Sequence, residues 1–189
     1  KHRYDLLLIG ASTGGPQAVG RILRALPADF PVPVAVVIHL PAGFTQSYAE
    51  RLDAECKLHV VEAASGQRLP PGTVVIARGG SHLAVHRDAT GLVVELGHEP
   101  RSLHRPSVDQ LFTTAAAAVR SRALGVVLTG MGDDGLEGSR ALKAAGSRVL
   151  VEAEESCVVY GMPRVVWEAS LADAQYHLDD MASAIIEEV

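Results

Sequence analysis

Leu6-Leu7-Leu8-Ile9-Gly10-Ala11-Ser12-Thr13-Gly14-Gly15-Pro16 is the stretch on which the fold turns. Its apolar run reads as a strand buried on both faces, the small residues after it as a sharp turn, and Pro16 as the first position of a helix, where a missing N–H has no helical partner to lose. A buried strand that turns tightly into a helix is half of a βαβ unit. The same pattern repeats outward from it. Apolar runs at Val34–His39, Thr73–Ala77, Gly125–Leu128 and Arg148–Val151, with less apolar ones at Leu58–Glu62 and Ala174–Leu178, alternate with helical segments at Pro16–Leu26, Thr45–Cys56, Val108–Arg120, Leu136–Ala145, Pro163–Ser170 and Met181–Glu187. The expected fold is α/β, a doubly wound and mostly parallel sheet with helices on both faces. One section breaks the alternation: His82–His86 and Leu92–Leu96 flank a polar turn ending in Gly91 and read as an antiparallel hairpin at a sheet edge or tip.

Composition narrows the function classes. The 189 residues are 48% hydrophobic, enough for one large core, so a single domain over 1–189 is expected. A net charge of -5, with Lys and Arg scattered, leaves no electrostatic footprint for nucleic acid. The two cysteines, Cys56 and Cys157, lie far apart with no ligand pattern around them, which argues against a disulfide framework or a thiolate metal site and fits a reducing, cytoplasmic setting. The apolar runs fall far short of the roughly 20 residues a membrane span needs, and no signal-peptide pattern opens the chain. It begins on Lys1 rather than Met, compatible with a piece of a longer chain.

In an open parallel sheet, chemistry gathers where strands run out into helices, and three such loops carry unusual residues. The loop holding Ser12 has G-x-S-x-G spacing, which presents a hydroxyl on a tight turn while helix-start N–H groups point outward. It is equally readable as a phosphate-binding loop or a plain turn; a dinucleotide fingerprint fails, because Ser12 stands where glycine is required and the next strand ends in His39 rather than an acid. The second loop begins at His39, the one side-chain type whose ordinary pKa suits proton transfer near neutrality, although a lone histidine is more often structural. The third, Thr129-Gly130-Met131-Gly132-Asp133-Asp134-Gly135, holds adjacent acids that could merely favour a helix start, or of which one could orient a histidine. His82, His86, His98 and His104 are less well placed, and no ligand spacing for zinc occurs. Together the loops supply a nucleophile, a base and an orienting acid, the parts of covalent acyl transfer. Their Ser…His…Asp order differs from that of α/β-hydrolases.

Five stretches then become recognisable: Ile9–Pro16, His39–Thr45, Arg105–Phe112, Leu128–Gly135 and Val158–Pro163. In order and over almost the whole chain, they resemble the catalytic domain of the chemotaxis protein-glutamate methylesterases, the CheB family. The resemblance implies hydrolysis of γ-glutamyl methyl esters on the cytoplasmic helices of chemoreceptors, with release of methanol and deamidation of selected receptor glutamines, without metal or cofactor. It implies Ser12 as nucleophile, His39 as proton carrier and Asp134 as orienting acid, with backbone N–H groups near Thr13 and Met131 for the oxyanion and Arg105 shaping the substrate cleft. A receiver domain, in cis or in trans, is the implied regulatory partner; none lies in these residues. Two departures stand out: Ile38 replaces a frequent glutamine, and Glu152-Ala153-Glu154 replaces Gln-Asp-Glu on what the resemblance makes a rim of substrate contacts. A non-catalytic nucleotide- or anion-binding module and a small-molecule serine esterase are the competing functions.

Overall fold

The computed structural model describes residues 2–189; position 1 of the expected domain lies outside them. The chain runs β1 (Leu6–Ala11), α1 (Gly15–Ala25), β2 (Val34–Ile38), α2 (Phe44–Glu55), β3 (His59–Glu62), β4 (Thr73–Ile76), β5 (His82–Asp88), β6 (Gly91–Gly97), α3 (Val108–Val119), β7 (Ala123–Val127), α4 (Leu136–Ala144), β8 (Arg148–Glu152), α5 (Met162–Glu168), β9 (Ala174–Tyr176) and α6 (Leu178–Glu188). Seven strands form one sheet in the order β3-β4-β2-β1-β7-β8-β9, with every pair parallel. The doubly wound sheet expected from the alternation is therefore present.

Alternate residues of the central strands feed two cores. Leu7 and Ile9 of β1 face α1, α2 and α6 through Val19, Ile22, Leu23, Leu52 and Ile185. Leu6 and Leu8 face the opposite layer, where α3, α4 and α5 contribute Leu111, Phe112, Leu142 and Val166. Being covered on both sides is why β1, β2 and β7 are buried along their whole length and read as unbroken apolar runs. The hairpin forms, but not at the edge of the main sheet: β5 and β6 make a separate two-stranded sheet whose Leu83, Val85, Leu92 and Val94 pack into the second core. Burial decides this, since a hairpin with one apolar face is most stable lying on a layer, and an edge position would leave that face wet.

The order of strands places the chemistry. From β1 the chain winds outward through β2 to β4 and β3, then returns to the other side of β1 as β7. The loops after β2, β1 and β7 consequently emerge side by side, at the switch point where the winding reverses. No helix among the described residues is long and apolar enough to cross a membrane.

Candidate active site

The three loops share one construction. Each leaves its strand and enters its helix through a glycine in the left-handed region: Gly14 (φ 82°), Gly43 (φ 90°) and Gly135 (φ 105°). They are stitched together by backbone. The Ser12 N–H donates to the Thr129 carbonyl at 3.0 Å and the His39 N–H to the Ala11 carbonyl at 3.2 Å, so both partner loops lie against the serine turn. Gly130 permits the closest approach: a Cβ there would stand 2.8 Å from the Ser12 Cβ and 3.0 Å from its nitrogen.

Across this junction His39 and Asp134 meet. The His39 Nε2 is 2.6 Å from Asp134 Oδ2, with side chains only 10% and 5% exposed. Asp134 does not cap the helix it precedes. Its carboxylate instead accepts from the Ser107 hydroxyl (3.1 Å) and from the backbone N–H groups of Val108 (2.7 Å) and Asp109 (2.8 Å), at the amino end of α3. Burial opposes its charge, yet the His39 bond, those two amides and the charge on His39 together hold its pKa below the ordinary carboxylate range. The four donors fill the lone pairs of both oxygens and fix the carboxylate in place. The other ring nitrogen of His39, Nδ1, is buried and has no hydrogen-bond partner.

Ser12 is half-buried, and the neighbouring Thr13 is exposed. The Thr13 carbonyl accepts from the Thr129 hydroxyl at 2.9 Å, whereas among the described residues neither the Thr13 nor the Met131 amide donates to another backbone group. The structure brings Arg105 to the same end of the sheet, where it lines a depression with Gly80, Arg101 and Leu103. Its guanidinium donates to the His98 carbonyl at 3.3 Å and makes no bond to Ser12, His39 or Asp134. Asp133 is exposed.

Glu152 corrects the sequence reading of the rim. It is fully buried at the end of β8, accepting from the Thr129 N–H at 2.9 Å and from the Ser156 hydroxyl at 2.9 Å. An acid in that segment therefore braces the loop that carries Met131 and contacts no substrate surface; Glu154 alone of the pair is exposed. Three further residues escaped the sequence reading. Ser107 accepts from the Gln110 N–H at 3.3 Å while donating to Asp134, a helix-cap role that its Ser-x-x-Gln spacing signals. Asp109 accepts from the Gly135 and Gly138 N–H groups at 2.9 and 2.7 Å; burial and the nearby Asp134 charge push its pKa up to about 6, against the pull of those amides. His104 stacks on His39, with ring centroids 3.9 Å apart and planes 9° from parallel. Nothing in the local sequence around His104 indicates that contact.

A depression of about 710 Å³ lies at the opposite end of the sheet beside Asp5, Arg87 and Arg122. Asp5 pairs there with both guanidiniums at 2.8 Å.

The model of the family described as CheB methylesterase matches residues 7–185. The chain is 50% identical over 182 residues to protein-glutamate methylesterase/protein-glutamine glutaminase 5 of Myxococcus xanthus, covering 96% of this chain and 52% of that protein. It is 48% identical over 184 residues to protein-glutamate methylesterase/protein-glutamine glutaminase 1 of Pseudomonas aeruginosa, covering 97% of this chain and 50% of that protein. The chain thus spans about half the length of the curated relatives it matches. A crystal structure of the CheB methylesterase catalytic domain of Thermotoga maritima superposes with a TM-score of 0.96 at 39% identity, covering 98% of this chain and 99% of that one.

Proposed function

This chain belongs to the CheB methylesterase family, and on that premise we propose that it hydrolyses γ-glutamyl methyl esters on the cytoplasmic helices of chemoreceptors, releasing methanol, and deamidates selected receptor glutamines in the same site. The reading needs no metal or cofactor. It places the enzyme in the cytoplasm, as a single catalytic domain whose expected regulatory partner is a receiver domain in cis or in trans.

The observation that carries the proposal is the 2.6 Å His39–Asp134 bond on Nε2, which leaves the buried Nδ1 without a hydrogen-bond partner on a residue whose backbone is bonded to Ala11, the neighbour of Ser12. Because the His39 backbone is bonded to Ala11, the ring nitrogen nearer that backbone is read as the one that serves Ser12. Ser12 Oγ attacks the γ-carbonyl carbon as its proton passes to Nδ1. Asp134 holds the proton of the neutral ring on Nε2 and offsets the charge of the imidazolium. The oxyanion is received by the Thr13 and Met131 N–H groups. The C–O bond to the methoxy group then breaks, the leaving group takes the proton from His39 and departs as methanol, and water repeats the sequence on the acyl-serine. A glutamine follows the same path with ammonia as the leaving group. Arg105 is assigned to the wall of the substrate cleft.

A protein substrate is favoured over a small ester by the surface around the serine. Among the described residues, Phe44 (62%), Leu103 (93%), Met131 (65%) and Val158 (70%) account for most of the exposed large apolar side chains; Phe44 opens α2 and the other three lie on loops. The test is methanol release from methylated receptor by wild-type protein and by Ser12→Ala, together with labelling of Ser12 by a fluorophosphonate. A Ser12→Ala variant that keeps a tenth of the activity overturns the nucleophile, and a wild type active only on small esters overturns the substrate.

A further inference from the structure

We propose that His104 is a positioning residue for the His39 base: its ring, lying flat on that of His39, holds the base in the plane of its Asp134 bond and stabilises the positive charge that the base acquires. The proposal rests on the reading of His39 as the base, which the measurements below separate from it.

The geometry sets the requirement. His39 follows the last residue of β2, and its ring is pinned at a single point, the 2.6 Å bond at Nε2. One bond leaves the ring free to swing about it, and swinging would turn Nδ1 away from the serine turn. A ring laid over one face at 3.9 Å, within 9° of parallel, removes that freedom. The platform is itself anchored on both sides. The Ser102 hydroxyl donates to the His104 carbonyl, the Gly80 N–H donates to the Arg105 carbonyl at 3.1 Å, and Ser107 ties the following turn to Asp134.

Charge gives the contact a second role. When Ser12 loses its proton, His39 becomes an imidazolium in a site where its side chain is only 10% exposed. An aromatic face over a desolvated cation stabilises it, provided the face stays neutral. The charged groups around His104 are His39, Asp134 and Asp133; burial first, and then the charge on His39, lower the proton affinity of His104, outweighing the two carboxylates. Its neighbour Arg105 directs its guanidinium to the His98 carbonyl. Protonation of the stack therefore stops at one ring, the one bonded to Asp134, and the second remains an uncharged platform.

The experiment compares His104→Phe with His104→Leu, two apolar side chains of which only phenylalanine has a π face; His104→Tyr is the second aromatic should the Phe variant fail to fold. In methanol release, the aromatic variant should keep kcat within about twofold of wild type, and the leucine variant should lose about tenfold with KM unchanged, because the charge forms only after substrate is bound. Proton NMR of the His39 ring in the same proteins should show its proton bound about tenfold more tightly in the aromatic variant than in the leucine one. Equal kcat and equal proton binding in the two variants overturn the proposal and leave His104 as packing alone. A difference in proton binding without one in kcat upholds the platform and overturns the reading of His39 as the base.

Discussion

Replacing Asp134 by asparagine tests the core of the site, because the carboxylate serves four donors and the amide cannot. With the NH₂ in place of Oδ2 it meets the Val108 N–H, 2.7 Å away, and with the NH₂ in place of Oδ1 it meets the Asp109 N–H, 2.8 Å away. Either orientation leaves one backbone donor of α3 unpaired, at about 1–3 kcal/mol, and removes a negative charge from the positive end of that helix, at about 0.3–1 kcal/mol. A loss near 3 kcal/mol corresponds to roughly 10 °C in Tm for a domain of this size. The first orientation also moves the His39 proton to Nδ1, the nitrogen needed as base, and both remove the charge that offsets the imidazolium; the serine-protease precedent is a loss of about 10⁴ in kcat. The sign of the pH dependence follows from the depressed pKa of Asp134. Its contribution is present above the ordinary carboxylate pKa and disappears as pH falls through the lower folded value, so wild type and variant should converge in stability below about pH 4. The control is Asp133→Asn: that side chain is exposed, and the change should cost at most a helix-end effect of about 0.3–1 kcal/mol with little change in rate. The assay is methanol release by both variants alongside thermal melts at pH 7 and at a series of pH values stepped down below 4. An Asp134→Asn enzyme retaining a tenth of its rate, or a larger loss at Asp133, would refute the assignment.

Three other outcomes are expected. Asp109 titrates near 6 in the folded protein, above its unfolded value, so the stability it contributes is complete below about pH 4 and fades as pH rises through 6; Asp109→Asn should remove that slope, gaining about 1 kcal/mol on wild type between pH 5 and pH 8 after allowance for solvent screening, as urea titrations at the two pH values will show or exclude. Gly130→Ala should push the β7 loop off Ser12, since its Cβ would stand 2.8 Å from the Ser12 Cβ, at a cost of about 1–3 kcal/mol. Its kcat should fall more steeply than its Tm implies, and a fully active variant would place the loop wrongly. Glu152→Gln keeps an acceptor for the Thr129 N–H and should be mild, whereas Glu152→Leu strands that buried amide at about 1–3 kcal/mol, the Ser156 hydroxyl keeping the Ala153 carbonyl as acceptor; equal melting temperatures for the two would show that the buried acid does not brace the loop.

The sequence alone determined what is written in local periodicity. Unbroken apolar runs mark strands covered on both faces, and small residues between Ile9 and Pro16 mark a strand-to-helix turn, because both effects act within a few residues. Ser12, His39 and Asp134 were legible as candidates for the same reason: each stands where a buried run ends. That their loops would gather at one end of the sheet was legible from the fold class, but not the order β2-β1-β7 that sets them side by side, which depends on how the whole chain winds and not on any one segment. Tertiary structure also decided that the hairpin covers a face, that Glu152 lies inside rather than on the rim, and that Asp134 is held by the amino end of α3. Burial and hydrogen bonding between residues far apart in the chain determine these features, and so does the contact of His104 with His39, two rings from loops 65 residues apart that meet only when their strands and helices have packed.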